Sequence, residues 1–224
     1  MHLMRQQLVR VSPGAWKTRL AERADLSGEP LLQEWAVRGW PLIVRRPLPN
    51  EEGGLPVGIP LPPSAGKRRI AVQLQPEDLA SVAPLPELRD AIDTAPSSWR
   101  PTLWKLTGLA DGYCVVGRVF GSLAWQLLTG LTYLGPKSDL DIILSLPRRD
   151  QLEPLLADLA EIDSCAPMRV DGELVREDGA TANWRELRRG CAEVVVKTRT
   201  ALELCSVAAF LGTRDVRNCV RQLT

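Results

Sequence analysis

Histidine is almost missing from this chain: the only one is His2, beside the start. That scarcity removes Ser-His-Asp triads and most zinc-dependent hydrolases, which need imidazole as base or ligand. Any chemistry must then rest on carboxylates, basic groups, hydroxyls and a metal. No stretch approaches the roughly 18 uninterrupted apolar residues of a membrane span, and Met1 to Arg5 lead into polar residues rather than an apolar run. A cytoplasmic protein with no membrane partner is expected. An excess of one charge is lacking as well: the formal net charge of +1 gives no overall field to attract nucleic acid. The cysteines Cys114, Cys165, Cys191, Cys205 and Cys219 are odd in number and contain no C-x-x-C pair, so they are expected to be reduced, mostly buried thiols without a zinc site.

With 224 residues, 45% of them hydrophobic, the chain can build two modest domains or one large one. Trp16, Trp35 and Trp40 read as core anchors of a small N-terminal unit, with a helix over 30–38 and strands over 42–44 and 69–74. Between those strands lie Pro47, Pro49, Pro56, Pro60, Pro62 and Pro63, which predict a stiff, extended linker with little capacity for sheet pairing. The linker ends in Lys67, Arg68 and Arg69 after Gly66. Three positive charges beside a flexible glycine suit a diphosphate or triphosphate, and a solvated basic turn has the same pattern. The spacing is not that of a Walker A loop. Pro76 to Val82 suits a short helix, with Glu77 and Asp78 near the positive end of its dipole. Pro84 and Pro86 then break the chain, and a domain boundary is expected between about 80 and 96.

The most informative stretch is Val115 to Leu144. An apolar, largely β-branched run, expected as a strand over 114–120 behind a helix over 102–109 held down by Trp99 and Trp104, stops at Gly121-Ser122. An amphipathic segment follows, and then a second apolar run interrupted by Asp139 and Asp141. Alternate residues of a strand share a face, about 6–7 Å apart at Cα. Two like charges so close on a hydrophobic strand ask for a cation, and Mg²⁺, which takes one or two carboxylates plus phosphate oxygens, fits. A glycine ending the first strand permits a tight turn, and the following helix offers N–H groups to an anion, phosphate above all. A Gly-Ser alone is also an ordinary turn. Joined to a strand bearing Asp-x-Asp it is far more specific.

These residues resemble the signature of the DNA polymerase beta-like nucleotidyltransferase superfamily. The fuller string GSLAWQLLTGLTYLGPKSDLDIIL is similar to the phosphoribosyl-dephospho-CoA transferases of malonate decarboxylase, also called malonate decarboxylase holo-[acyl carrier protein] synthases. The likeness continues through 46–74, 171–187 and 194–198, and so covers most of the chain. One departure is the spacing: residues 123–138 separate Ser122 from Asp139, more than the usual interval. The resemblance implies an α+β chain. A nucleotidyltransferase-like catalytic domain with a mixed sheet occupies 86–224, and a smaller N-terminal α+β domain for substrate or carrier recognition occupies 1–85. It implies transfer of the 2′-(5″-phosphoribosyl)-3′-dephospho-CoA group from its triphosphate precursor to a serine of the apo acyl carrier subunit, with release of diphosphate. It also moves Lys67, Arg68 and Arg69, with Arg45 and Arg46, toward substrate or carrier contact. An alternative is a nucleotidyltransferase using an ordinary nucleoside triphosphate on another alcohol or protein.

Beyond the aspartates, Leu152, Leu155, Leu156 and Leu159 fall at helical spacing and read as core. Strands are expected from Met168 to Val175 and over Val194 to Val196. Enzymes of this class take a third metal-side carboxylate from a neighbouring strand; Asp171 is the choice and Glu173 the competitor, while Asp171-Gly172 also reads as a turn. Asp178-Gly179 is a turn, and Asn183 and Trp184 open a helix. Lys197, at a strand exit, either reaches a phosphate or lies exposed. An apolar helix over 201–211 is expected to close the core. Arg214, Arg217 and Arg221 form a basic face that suits an acidic carrier or simply solvent.

Overall fold

The computed structural model describes residues 3–26, 28–48, 51 and 53–212. His2, Cys219 and the arginines at 214, 217 and 221 lie outside them. The chain is α+β, in two units. One holds residues up to Leu85 together with Ser122–Gly135 and Arg199–Ala201; the other holds Pro86–Gly121, Pro136–Thr198 and the residues from Leu202.

The first unit contains β1 (Leu8–Val11), α1 (Pro13–Ala21), α2 (Pro30–Glu34), β2 (Leu42–Val44), β3 (Leu55–Pro60), β4 (Arg69–Leu74) and β5 (Leu79–Ala83). Its sheet is antiparallel, in the order β4-β3-β2-β1-β5. The expected tryptophans anchor it. Trp16 and Trp35 are fully buried and donate their indole N–H groups to Leu32 O (2.6 Å) and Pro41 O (3.0 Å). Trp40 meets Trp35 edge-on with centroids 5.0 Å apart. The second helix ends four residues early, at Glu34; residues 35–38 continue as turns, which Gly39 closes in the left-handed region at φ +68° with Trp40 N–H returning to Trp35 O.

Two expectations fail in this unit. The proline-rich linker contains β3, paired on both sides. Its prolines stand near the strand ends, while Val57, Gly58 and Ile59 keep their N–H groups for the ladders, and a proline carbonyl still accepts: Arg45 N–H donates to Pro56 O at 3.0 Å. Nor does Pro76 start an α-helix. The Asp78 carboxylate takes the Gln75 N–H (2.7 Å) and the Arg19 guanidinium (2.7 Å), which closes a single 3₁₀ turn. The chain then pairs with β1 as β5.

The second unit contains α3 (Arg100–Gly112), β6 (Gly117–Val119), the first residue of α4 (Gly121–Thr129), β7 (Leu140–Ser145), α5 (Leu152–Ser164), β8 (Val170–Val175), β9 (Thr181–Asn183), α6 (Trp184–Arg188), β10 (Glu193–Lys197), β11 (Leu202–Ser206) and α7 (Val207–Leu211). Its six strands lie in the order β11-β10-β9-β8-β7-β6. The sheet is mixed: β7 and β8 run parallel, joined through α5, and the other neighbours antiparallel.

Here too the structure corrects the sequence reading. The strand expected over 114–120 spans only Gly117–Val119, and Trp104 faces solvent while Trp99 is buried. The expected helix over 201–211 is β11 followed by a short α7, since residues 202–206 complete the ladder with β10, and Leu202 and Leu204 are exposed. Cys114, Cys165 and Cys191 are exposed and Cys205 half-buried, so the described thiols are not core residues. No described helix is long and apolar enough to cross a membrane.

Candidate active site

β7 and β8 each present two different faces. Leu140, Ile142 and Leu144 alternate with Asp141, Ile143 and Ser145, and Val170, Gly172 and Leu174 alternate with Asp171, Glu173 and Val175. The first set is buried, and it meets helices: a Cβ on Gly172 would lie 2.8 Å from Trp184 of α6. Alternation puts the carboxylates on the opposite face. In the parallel register Asp141 stands directly beside Asp171, so the two share that face on adjacent strands, about 4.8 Å apart along the hydrogen-bonding direction.

The bend after β6 adjoins Asp141. Phe120 N–H donates to Asp141 O at 3.0 Å. Gly121 then takes φ +63°, and a Cβ on it would lie 2.6 Å from Asp141 Cγ. Only glycine leaves room for that carboxylate. Asp139 precedes β7 by one residue, is half-buried, and has no hydrogen-bond or ion-pair partner among the described residues.

Asp171 accepts a hydrogen bond from Asn183 Nδ2 at 3.1 Å. Arg169 approaches its Oδ1 only to 3.7 Å, with both side chains accessible, a weakly held and screened pair. The start of β8 is fixed by Asp163, which accepts Val170 N–H (2.9 Å) and the Arg185 guanidinium (2.8 Å). Burial pushes the Asp163 carboxyl up, but Arg185 and the Val170 N–H hold it below the ordinary range.

Glu173 differs from Asp171. It is buried, and its carboxylate forms an ion pair with the Lys197 ammonium. Lys197 thus pairs with Glu173 while part of its side chain stays accessible. The structure thus brings Gly121, Asp141 and Asp171 together; Asp139, expected on the same strand face as Asp141, lies one residue before β7. Ser122 follows Gly121 but opens the segment that packs with the first unit. Lys67, Arg68 and Arg69 also belong to that unit. Lys67 has φ +53° after Gly66, Arg68 pairs with Glu29, and Arg69 lies exposed on β4 opposite Pro60. Asn183 had been legible only as a helix start; an Asn before a helix also carries a free amide, and that was the available signal.

Among the described residues no three His, Cys, Asp or Glu side chains form a complete metal-ligand group. The donor set nevertheless suits a hard ion that takes few protein ligands and completes its shell with phosphate and water oxygens, as Mg²⁺ does.

Residues 4–84 match the family profile described as Phosphoribosyl-dephospho-CoA transferase MdcG N-terminal domain, and residues 87–208 match the MdcG C-terminal domain of the same description. The chain belongs to the phosphoribosyl-dephospho-CoA transferase family. It is 47% identical over 208 residues to the phosphoribosyl-dephospho-CoA transferase of Bradyrhizobium diazoefficiens, covering 93% of this chain and 92% of the relative. The enzymes of that name from Xanthomonas campestris strain 8004 and Azotobacter vinelandii are 35% identical (83% and 88% covered) and 30% identical (82% and 86% covered). No solved structure matches. As a member of this family the chain is a transferase, and the C-terminal family match contains β7, β8 and Asn183.

Proposed function

We propose that this transferase moves the 2′-(5″-phosphoribosyl)-3′-dephospho-CoA group from its triphosphate precursor to a serine of the apo acyl carrier subunit of malonate decarboxylase, in the cytoplasm. The observation that carries the reading is the register of Asp141 with Asp171 beside the Gly121 bend. The serine oxygen attacks the α-phosphorus, a phosphodiester forms, and diphosphate leaves. Asp139 and Asp141 would hold Mg²⁺, with Asp171 alongside, and the bound ion supplies charge neutralisation at the phosphoryl oxygens. Gly121 keeps the backbone close to the substrate, and the N–H groups from Ser122 onward offer donors to its terminal phosphate oxygens. Lys67, Arg68 and Arg69, on the first unit, are proposed for contact with the substrate or the carrier protein. Lys197 serves that face through Glu173.

The test is to mix the protein with synthetic triphosphoribosyl-dephospho-CoA, Mg²⁺ and the apo carrier subunit, and to follow the carrier by mass spectrometry. Addition of the prosthetic group is expected. Asp139→Ala and Asp141→Ala should abolish it while leaving circular dichroism unchanged. Full activity with unaltered Mg²⁺ dependence in either variant would reject the metal assignment. Label incorporated from an ordinary nucleoside triphosphate, with none from the precursor, would favour the wider nucleotidyltransferase reading instead.

A further inference from the structure

Asn183 ends β9 and caps α6, and its side chain is used at both ends. Its Oδ1 accepts the Arg185 N–H at 2.9 Å, which satisfies a first-turn donor of the helix, while its Nδ2 donates to Asp171 Oδ1 at 3.1 Å. The helix donor needs an acceptor, so the amide cannot be turned over, and a donor always faces Asp171. The frame behind the amide is firm. Trp184 is buried and donates to Val170 O at 3.2 Å, and the Arg185 guanidinium donates to Val170 O (3.1 Å) as well as to Asp163. Helix, strand and carboxylate are therefore tied through one side chain. Two rotatable bonds would otherwise leave a half-exposed aspartate free to swing.

We infer that Asn183 is a positioning residue: it sets the direction of the Asp171 carboxylate toward a divalent cation shared with Asp141. The inference rests on the reading of Asp171 given above. It assigns to the β9–α6 junction a part in catalysis that capping alone would not give it.

Asn183→Ser keeps a capping oxygen but has no donor that reaches Asp171, and Asn183→Asp keeps the cap while setting a second carboxylate against it. With Mn²⁺ as probe, binding to the full chain is read from the electron paramagnetic resonance of the free ion, beside transfer kinetics and melting temperature. Asn183→Ser is expected to weaken Mn²⁺ binding about tenfold and to lower kcat about as much, with the KM for the triphosphate precursor and the melting temperature little changed. Asn183→Asp should lose transfer by at least that factor, again as a folded protein. Wild-type Mn²⁺ binding and turnover in either folded variant overturns the inference. So does a loss that merely follows a lowered melting temperature, since capping would then account for it. Asp171→Ala separates the two levels. If it binds Mn²⁺ and transfers normally, the reading of Asp171 falls and this inference with it; if it is impaired while both Asn183 variants behave as wild type, only the inference falls.

Discussion

The paired carboxylates of the first unit and the candidate-site carboxylates of the second are treated in opposite ways, although the second unit also has paired acids such as Asp163 with Arg185. In the first, acids are consumed by arginines: Asp78 by Arg19, Glu51 by a two-pronged contact with Arg45, and Glu29 by Arg68. These pairs fasten turns. Glu51 also takes the Leu48 N–H at 2.7 Å. In the second unit, Asp139 has no partner among the described residues, and Asp171 has an amide and one distant guanidinium. An acid held for folding is matched by a cation inside the protein. One proposed to grip a metal is left to be matched from outside.

The sharpest way to break the comparison is Gly121→Ala. A methyl group there would overlap the Asp141 carboxylate, in a backbone conformation that costs an L-residue about 1–2 kcal/mol. Displacing a reacting group by about 1 Å costs on the order of 100-fold in rate, so transfer should fall at least that far while the tryptophan emission of the first unit is unchanged. Near-normal transfer would mean that the bend and the strand do not work together. Asp78→Ala is the counterpart. Removing the buried Asp78 from its charge-assisted contact with the partly exposed Arg19 should cost about 1–2 kcal/mol in urea unfolding and leave transfer intact in the folded protein. A loss of transfer at full stability would show that the first unit's acids are not merely structural.

The smallest effect is that of acid. Asp78 is pushed up by burial but held below the ordinary carboxylate range by Arg19 and the Gln75 N–H; Glu51 is held low by Arg45, and Asp163 by Arg185 against its burial. A carboxyl depressed in the folded state adds stability that is complete above its unfolded value, near pH 4, and is lost as pH falls through the lower folded value. The melting temperature should therefore hold down to about pH 5 and drop below about pH 4. A flat profile to pH 2 would deny these pairs their role.

Much of this was legible in the residues, for identifiable reasons. Asp139 and Asp141 interrupt an apolar run, and the apolar residues around them marked out the strand that carries Asp141, with Asp139 just before it. The leucines of α5 and the tryptophans of the first unit betray themselves by period and size. What escaped depends on partners distant in sequence. The strand at 55–60 hides behind its prolines, because propensity counts missing N–H groups and cannot know that β2 and β4 lie ready on either side. The strand at 202–206 has the composition of a helix until β10 offers it an edge. Lys197 looked like a loose end because Glu173, 24 positions earlier, is joined to it only in the fold.

The excursion at 122–135 carries one more lesson. Trp125 rests against Trp35, with centroids 6.1 Å apart, and Tyr133 gives its hydroxyl to Pro60 O at 2.9 Å; burial there pushes the Tyr133 phenol up to about 12. A gene cut at codon 86 would express those two rings without the indole and carbonyl they lean on. The shortened product would wear a sticky stripe and should clump on purification, however faithful its own sheet. The halves that look separable on a sequence map have to be made as one polypeptide.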